Sequence, residues 1–232
     1  MQRKRSSGVS VVSATWNERD ALPDLIRRIH RALGSIPHET IIVDDTSPDG
    51  TGILASKLAD VAICKRREGQ SIALLTGIRK ATYPIVVTID ADLENDPENI
   101  IGLLRSLEKG HDIVVAARPN LPRFSERLFA ATVGQWLGVT DVLSNFRAMR
   151  REKVESISLG HTETFGAEFL IRAHRVGLRI GQIQVDDTPR RSTPRIGGTL
   201  TANLRILKAL VISLMILLEP SIRRSRIARS WS

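Results

Sequence analysis

Cysteine and aromatic residues are both scarce in this chain. The single cysteine, Cys64, excludes an internal disulfide and a zinc site built from cysteines. Its apolar neighbours Ala62 and Ile63 predict an ordinary buried thiol. Aromatic residues make up only 4% of the sequence, which argues against recognition of single strands by base stacking. No helix-turn-helix, zinc-finger or RNA-binding signature is present, so nucleic acid is not expected as a partner.

Long hydrophobic runs are also missing. Residues Met1–Gly8 are polar and basic and lead into a short predicted strand rather than an apolar signal core, so no secretory peptide is predicted. The densest apolar stretch towards the C-terminus, Ala209–Leu218, has about half of the ~20 residues that a membrane span requires. We therefore expect no transmembrane span and a location in the cytoplasm or, peripherally, on the cytoplasmic face of a membrane.

The residues that are abundant indicate a folded domain with excess positive charge. Apolar residues make up 42% and charged residues 25% of the 232 residues, which suits a domain with a full hydrophobic core. The formal net charge of +9 favours an anionic partner. With nucleic acid unsupported by any motif, anionic lipid headgroups and phosphorylated substrates are the remaining candidates.

Predicted strands and helices alternate along much of the chain, which is typical of an α/β fold with a mostly parallel, doubly wound sheet. The predicted strands are Val9–Thr15, Thr40–Val43, Val61–Cys64, Ile85–Ile89, His111–Ala117 and Arg179–Val185. A turn and a further short strand are predicted within Asp141–Arg151. We expect residues 1–198 to form one domain and residues 199–232 to form an amphipathic helix with a basic tail.

The strongest site signal is a pair of aspartates after the predicted strand Ile85–Ile89. This strand is β-prone without alternation, which predicts a central position covered on both faces. Asp90 and Asp92 follow at its carboxyl end, where open α/β sheets bind ligands. Because strand residues two apart point the same way, both carboxylates can face one point and hold Mg²⁺ or Mn²⁺ beside a diphosphate. The alternative is a pair of solvated turn acids.

Two other loops carry polar residues suited to a ligand. Asp44 and Asp45 follow the predicted strand Thr40–Val43, again at a carboxyl end. The later loop 186–198 is rich in Pro, Gly, Thr and Arg, and a loop of this length is usually functional or disordered. It is either a phosphate lid or a solvated flexible loop.

Two predicted helices combine apolar faces with basic residues. Phe124–Leu137 could cap the core or lie on a membrane. Thr199–Leu218 has basic residues inside it and after it, which favours a helix held at an anionic lipid surface or docked on a membrane subunit. The alternative is a helix packed on the domain. The basic residues concerned are Arg205, Lys208, Arg223, Arg224, Arg226 and Arg229.

Four stretches resemble, in order and spacing, the motifs of family 2 glycosyltransferases. They are Ala14–Arg19, Val43–Thr51, Asp90–Glu94 and Ser144–Glu152. The resemblance is closest to dolichol-phosphate mannose synthases and related polyprenyl-phosphate hexosyltransferases, and it extends from Val9 to about Leu218. It implies a GT-A fold, in which a Rossmann-like half binds a nucleotide sugar and is joined to an acceptor half.

The resemblance also implies roles for individual residues. Nucleotide-sugar contacts are implied for Ala14, Trp16, Glu18, Val43, Asp44, Asp45 and Ala91, and metal contacts for Asp90, Asp92 and Glu94. Phosphate contacts in the catalytic step are implied for Arg118 and Arg127, with Arg123 competing for the second role, and Asp92 is included in the catalytic set. Further donor contacts are assigned to Arg190, Arg191 and Arg195.

The chain departs from the family pattern at several of these positions. Trp16 stands where the family has tyrosine, Ala14 replaces a proline, and Glu94 replaces a frequent glutamine. Ser192–Arg195 departs from the usual Gly-x-Ser-Lys of the late basic loop. Glu94 therefore adds a third carboxylate beside the implied metal.

The implied reaction is inverting transfer of a hexose, with GDP-mannose as the expected donor, to dolichyl or another polyprenyl phosphate. A phosphate monoester is largely dianionic at neutral pH and needs little help from a general base, so no histidine is assigned to catalysis. Two alternatives remain open: a family 2 transferase that uses a saccharide or another lipid acceptor, and a non-catalytic membrane or nucleic-acid adaptor of the same fold.

Overall fold

The computed structural model describes residues 7–155, 157, 159, 165–186 and 199–219. These residues form one seven-stranded, mostly parallel sheet with flanking helices, which confirms the predicted α/β class. The strands are β1 (Val9–Thr15), β2 (His38–Asp44), β3 (Val61–Cys64), β4 (Ile85–Thr88), β5 (Ile113–Ala117), β6 (Arg147–Arg150) and β7 (Ile180–Gln184).

Nine α-helices are present in the described part of the chain. They are α1 (Leu22–Leu33), α2 (Thr51–Leu58), α3 (Gln70–Lys80), α4 (Ile100–Glu108), α5 (Phe124–Phe129), α6 (Gln135–Leu137), α7 (Arg151–Val154), α8 (Phe165–Arg175) and α9 (Thr199–Leu218). A 3-10 turn at Pro97–Asn99 leads into α4, and a π-helical segment at Ala130–Gly134 joins α5 to α6. Asp96 caps the 3-10 turn by accepting a hydrogen bond from the Glu98 N–H.

The sheet has the strand order β3-β2-β1-β4-β6-β5-β7, so β4 is a central strand as its unbroken apolar run predicts. Alternate residues of each strand enter the cores on the two faces: Val86 packs on one side of the sheet and Val87 on the other. Helix α3 lies so close to β1 that a Cβ added to Gly77 would meet Val12 Cγ1 at 2.3 Å. This close packing fixes α3 against one face of β1 and β2.

Strand β6 runs against the direction of its neighbours. It pairs antiparallel with β4 and with β5, whereas β1, β2, β3 and β4 pair in parallel, as do β5 and β7. Arg147, the first residue of β6, therefore lies opposite Thr88, the last residue of β4. The start of β6 consequently shares an edge of the sheet with the carboxyl ends of β1, β2 and β4.

The prediction of a buried Cys64 is wrong. Cys64 is exposed because it ends β3, which is an edge strand with a neighbour on one side only. Its sulfur still packs against α2, since a Cβ added to Gly52 would come within 2.7 Å of Cys64 Sγ. An apolar sequence neighbourhood therefore did not indicate burial at the end of an edge strand.

The segment from α5 to α6 caps the core, one of the two predicted roles. Phe129, Val133 and Leu137 are buried in the core cluster on one face of the sheet, whereas Phe124 and Trp136 are exposed. Helix α9 packs against α8 and α5, and it buries Leu210 and Ile216.

The opposite side of α9 exposes large apolar side chains together with Arg205 and Lys208. Its large exposed side chains are Leu204, Val211, Leu214, Met215 and Leu218. Among the described helices, none is long and apolar enough to cross a bilayer. Helix α9 therefore combines a packed face with a mainly apolar face that the described residues leave exposed.

Candidate active site

Three loops at the shared edge of the sheet contain strained backbone. Within the described residues, the non-glycine positions with positive φ are Asn17, Thr46 and Leu93, with φ of 57°, 59° and 62°. They follow β1, β2 and β4 respectively. Such conformations are costly for Thr46 and Leu93, less so for Asn17, and strained positions concentrate at functional sites. The strain therefore indicates that these loops form a site.

The loops after β1 and β2 are joined through Asp44. This buried carboxylate accepts hydrogen bonds from Thr15 Oγ1 at 3.0 Å, from Ser47 Oγ at 2.5 Å and from the Ser47 N–H at 2.8 Å. Ser47 Oγ also accepts a hydrogen bond from the Asn17 N–H. The sequence predicts a nucleotide contact for Asp44, and the structure shows that its carboxylate holds the two loops together.

Asp45 is buried and connects the β2 loop to the segment before α3. Its carboxylate accepts hydrogen bonds from Lys65 Nζ and from the Gly69 N–H, each at 2.8 Å. Burial alone would lower the pKa of Lys65, but its hydrogen bonds to Asp45 and Glu68 raise it, so the lysine is firmly charged. Asp45 thus positions a basic segment beside the predicted nucleoside pocket.

The residues in and after β1 that are predicted to bind the nucleotide sugar lie at the same edge of the sheet. Trp16 is half-buried, and the guanidinium carbon of Arg67 lies 3.7 Å from the centroid of its ring. Glu18 is buried, and its N–H donates to Thr51 Oγ1 at 3.0 Å. Ala14 lies opposite Val43 in the β1–β2 pairing. Trp16, Glu18 and Asp45 therefore lie in loops at one edge of the sheet.

Asp90 and Asp92 lie in the turn after β4, which ends at Thr88. Strand alternation is therefore not what brings them together, although they are close enough to interact. Burial and the charge of Asp92 raise the pKa of the Asp90 carboxyl to about 7, against the opposing effects of a hydrogen bond with Asn145 and the charge of Arg118. Asp90 Oδ1 also accepts a 2.6 Å hydrogen bond from Gln70 Nε2.

The surroundings of this pair suit a divalent cation. The ionised form of Asp90 is disfavoured by a second carboxylate and by burial, and a cation would relieve both effects. The negative charge of Glu94 also raises the pKa of Asp90, and the Glu94 N–H donates a hydrogen bond to Asp92 Oδ1 at 3.1 Å. In the described ranges, no three His, Cys, Asp or Glu side chains are arranged to hold a metal alone. A bound cation would therefore need oxygen ligands from a substrate or water.

Arg118 follows β5 and is fixed by acids. Its Nε and Nη2 donate to the two carboxylate oxygens of Asp141 at 2.7 and 3.3 Å, and Glu126 Oε1 lies 3.8 Å from Nη2. The Arg118 side chain is 30% exposed, whereas Asp141 is buried. An anchored but accessible guanidinium, whose charge also acts on Asp90, is suited to binding phosphate near the paired aspartates.

The two candidates for a second phosphate arginine have different surroundings. Arg123 is the N-cap residue of α5 and forms a capping box with Glu126, with 2.9 Å between Arg123 Nη1 and Glu126 Oε1. Arg127, on the same helix, is exposed and has no ion pair within the range of residues that the structure describes. These surroundings favour Arg127 as the arginine available to a ligand.

Arg147 is the main residue of the site to which the sequence analysis assigned no role. It is fully buried and donates to the Gly166 and Val142 carbonyls at 2.9 and 2.8 Å, and its Nε–H has no partner among the described residues. Burial lowers its pKa to about 10, and the charges of Asp141 and Asp90 act in the opposite direction. Its only sequence signal was its place in the motif Ser144–Glu152.

Other predicted site residues are placed as follows. Ala91 is buried beside the paired aspartates in the chain, and Val43 is buried in β2. Arg190, Arg191 and Arg195 lie outside the described residues, as do Arg223, Arg224, Arg226 and Arg229. The structure therefore brings the β1, β2 and β4 motifs, Arg118 and Arg147 to one edge of the sheet.

This sheet order and the acids after its central strand define a GT-A type fold. Residues 10–158 match the model of the family described as Glycosyl transferase family 2. The chain belongs to this family, as its motifs predict. A solved structure that shares this fold is glucosyl-3-phosphoglycerate synthase from Mycobacterium tuberculosis, in complex with Mn²⁺, UDP and phosphoglyceric acid. The two structures match with a TM-score of 0.75 at 23% sequence identity, over 93% of this chain and 80% of that one.

Two curated relatives have names that specify a lipid-linked phosphate. The undecaprenyl-phosphate 4-deoxy-4-formamido-L-arabinose transferase of Pseudomonas fluorescens is 34% identical over 165 residues, which cover 64% of this chain and 48% of the relative. The polyprenol monophosphomannose synthase of Mycolicibacterium smegmatis is 32% identical over 206 residues, covering 78% of this chain and 77% of the relative. The chain thus spans about half the length of the first relative and most of the second.

Proposed function

We propose that this chain transfers a hexose from a nucleotide sugar, with GDP-mannose as the preferred candidate, to a polyprenyl phosphate with inversion at the anomeric carbon. The observation that carries the proposal is the juxtaposition of Asp90, Asp92 and Arg118. Two acids suited to a cation and an anchored guanidinium lie at one edge of the sheet. This is the arrangement that a departing nucleoside diphosphate and an incoming phosphate require.

The donor would lie across the loops after β1, β2 and β4. Trp16 would offer a ring face to the base, and the buried acids Glu18 and Asp45 would contact the nucleoside. Asp90 and Asp92, with Glu94 adjacent, would hold Mg²⁺ or Mn²⁺. When bound, the ion would neutralise charge on the leaving diphosphate.

The protein's own residues would then act mainly by alignment and charge neutralisation. The acceptor phosphate already carries close to two negative charges, so it can attack the anomeric carbon without a protein base. Arg118, held by Asp141, would orient that phosphate, and Arg127 would give a second contact. Arg190, Arg191 and Arg195 remain predicted donor contacts. Correct alignment can account for a large part of the rate enhancement in such a reaction.

A polyprenyl acceptor places the reaction at a lipid surface, and α5 and α9 are suited to that surface. Ser125 Oγ donates to Asn203 Oδ1 at 2.6 Å, which joins the start of α5 to α9. On either side of this contact, Phe124 and Leu204 are 66% and 60% exposed. Arg127 lies on the same short helix as Phe124, so lipid contact would bring a phosphate headgroup towards the arginines. We propose peripheral attachment to the cytoplasmic face of a membrane, with or without a membrane subunit.

The acceptor and the donor are tested in one assay. Radiolabelled GDP-mannose, UDP-glucose or UDP-linked arabinose is incubated with the protein, Mg²⁺ or Mn²⁺, and polyprenyl phosphate, and the label is extracted into organic solvent. The proposal predicts an extractable product that mild acid hydrolyses and that requires the polyprenyl phosphate. Label found only in water-soluble or acid-stable product would favour a saccharide or another lipid as acceptor. Absence of any transfer, with no nucleotide bound, would favour the non-catalytic adaptor.

A further inference from the structure

A short basic segment that runs from the end of β3 to the first residue of α3 contacts all three loops of the candidate site. We call Lys65–Gln70 the basic strap; its sequence is Lys-Arg-Arg-Glu-Gly-Gln. Lys65 and Gly69 contact Asp45 after β2, Arg67 contacts Trp16 after β1, and Gln70 contacts Asp90 after β4. The motif comparison gave this segment no role.

The strap is anchored near both ends by one buried acid. One carboxylate oxygen of Asp45 accepts a hydrogen bond from Lys65 Nζ and the other accepts one from the Gly69 N–H, both at 2.8 Å. The Lys65 N–H donates to the Asp44 carbonyl at 3.0 Å, and the Lys65 carbonyl accepts from Thr46 Oγ1 at 2.6 Å. The residues on either side of 66–68 are therefore held in place by the β2 loop.

The remaining contacts of the strap are weaker and exposed. Arg67 and Gln70 are both exposed, and Arg67 covers the Trp16 ring at 3.7 Å. An exposed cation–π contact contributes only about 0.5–1 kcal/mol. Gln70 Nε2, an uncharged donor, hydrogen-bonds Asp90 Oδ1 at 2.6 Å. A ligand of modest affinity could therefore replace either contact without disturbing the anchors.

We propose that the basic strap is a donor-responsive part of the site, in which a nucleobase replaces Arg67 on Trp16 and a cation replaces Gln70 on Asp90. The inference rests on the proposed function, because that function assigns the ring to the base and the carboxylate to the cation. Since Arg67 and Gln70 are three residues apart on one anchored segment, release of one contact favours release of the other. Nucleotide and cation binding are then positively coupled through the strap.

The test reads the environment of Trp16 directly. The sequence contains three tryptophans, so the Trp136→Phe, Trp231→Phe double variant leaves Trp16 as the only one. This variant is titrated with GDP and with UDP, with and without Mg²⁺, while nucleotide binding is measured independently by calorimetry. We expect Trp16 emission to change in step with nucleotide binding, and Mg²⁺ to strengthen nucleotide binding.

Two further variants and a control distinguish displacement of Arg67 and Gln70 by ligands from other roles of these two residues. Arg67→Ala should alter the resting Trp16 emission, keep a nucleotide-induced change of that emission, and tighten nucleotide binding about two- to fivefold, because the base no longer competes with the guanidinium. Gln70→Ala should tighten the binding of Mn²⁺ alone by a similar factor, measured by electron paramagnetic resonance. Arg66→Ala removes an equal charge from the exposed strap without touching Trp16 and should change neither quantity.

The outcomes distinguish this inference from the proposed function. Calorimetric nucleotide binding with unchanged Trp16 emission would overturn the strap inference and leave the proposed function intact. Weaker nucleotide binding in Arg67→Ala would also overturn it, because Arg67 would then be a ligand contact rather than a group that the ligand replaces. No binding of any nucleotide to the wild-type chain would overturn the proposed function itself.

Discussion

Arg118 and Asp141 lie 23 residues apart and form a two-point ion pair, with Arg118 Nε and Nη2 at 2.7 and 3.3 Å from the two carboxylate oxygens. The pair joins the end of β5 to the loop that leads into β6. Because Asp141 is buried and Arg118 is partly exposed, the acid fixes the direction of a guanidinium that a ligand can still reach. The structure thus places a phosphate-binding group by means of a residue that the motifs did not single out.

Asp141→Asn tests this positioning. The amide keeps the shape of the carboxylate but loses the charge that fixes Arg118. We expect the KM for polyprenyl phosphate to rise about tenfold, which corresponds to ~1.4 kcal/mol, while nucleotide binding measured by calorimetry stays within twofold. Glu155→Gln, which weakens the surface ion pair with Arg151, is the control and should leave both values unchanged. An unchanged acceptor KM in Asp141→Asn would contradict the role given to the pair.

Arg147→Lys tests the need for a buried guanidinium under α8. Lysine keeps the charge but cannot reproduce the planar fork that donates to both the Val142 and Gly166 carbonyls. One buried carbonyl is then left without a donor, which costs about 1–3 kcal/mol. Urea unfolding should show a loss of this size relative to wild type. Equal midpoints and slopes for the two proteins would show that the paired carbonyls do not depend on Arg147.

The raised pKa of Asp90 predicts a pH dependence of stability in the metal-free protein. The folded-state pKa of about 7 lies above the ordinary value of 3.8, so the folded protein binds this proton more tightly than the unfolded chain does. The contribution of Asp90 to stability therefore falls as pH rises from ~4 to ~7. Asp90→Asn, which cannot titrate, should be more stable than wild type at pH 8 in EDTA, and the difference should shrink at pH 5. A difference that is the same at both pH values would exclude this titration.

The exposed face of α9 predicts binding to anionic lipid. Val211 and Met215 are 58% and 64% exposed, so glutamate at both positions should leave the domain folded. We expect the wild type to sediment with vesicles containing anionic lipid and Val211→Glu, Met215→Glu to lose most of that binding, with little change in Tm. Ile53→Glu is the matched control, since Ile53 is 69% exposed on α2. Equal loss in the control would assign the effect to charge alone.

The sequence predicted those parts of the fold that depend on local patterns. The unbroken apolar run Ile85–Ile89 indicated a central strand, and the regular apolar spacing of Leu22–Leu33 indicated a helix that ends before Gly34, whose φ is 51°. The direction of β6 was not predictable in this way. Arg147–Arg150 is short and carries no apolar alternation, and its antiparallel pairing is set by how the chain returns from α6 rather than by local propensity.

The site was predictable in its residue types but not in its contacts. The motifs indicated Asp44, Asp45 and Asp90, because acids after parallel strands meet at one edge. They did not indicate that Asp44 binds Thr15 and Ser47, or that Asp45 holds Lys65 and Gly69, since such contacts depend on the loop conformations. The buried position of Arg147 was not predictable for a similar reason, because burial of a charged side chain depends on the packing of the folded chain.

A cation held by Asp90 and Asp92 is tested by calorimetric titration of GDP into wild type and Asp92→Asn, each with and without Mn²⁺. We expect Mn²⁺ to strengthen GDP binding to wild type at least tenfold, Asp92→Asn to lose this enhancement, and the exposed control Glu98→Gln to keep it. GDP binding that is equally strong with and without Mn²⁺, or an enhancement that survives in Asp92→Asn, would contradict a cation held by the paired aspartates.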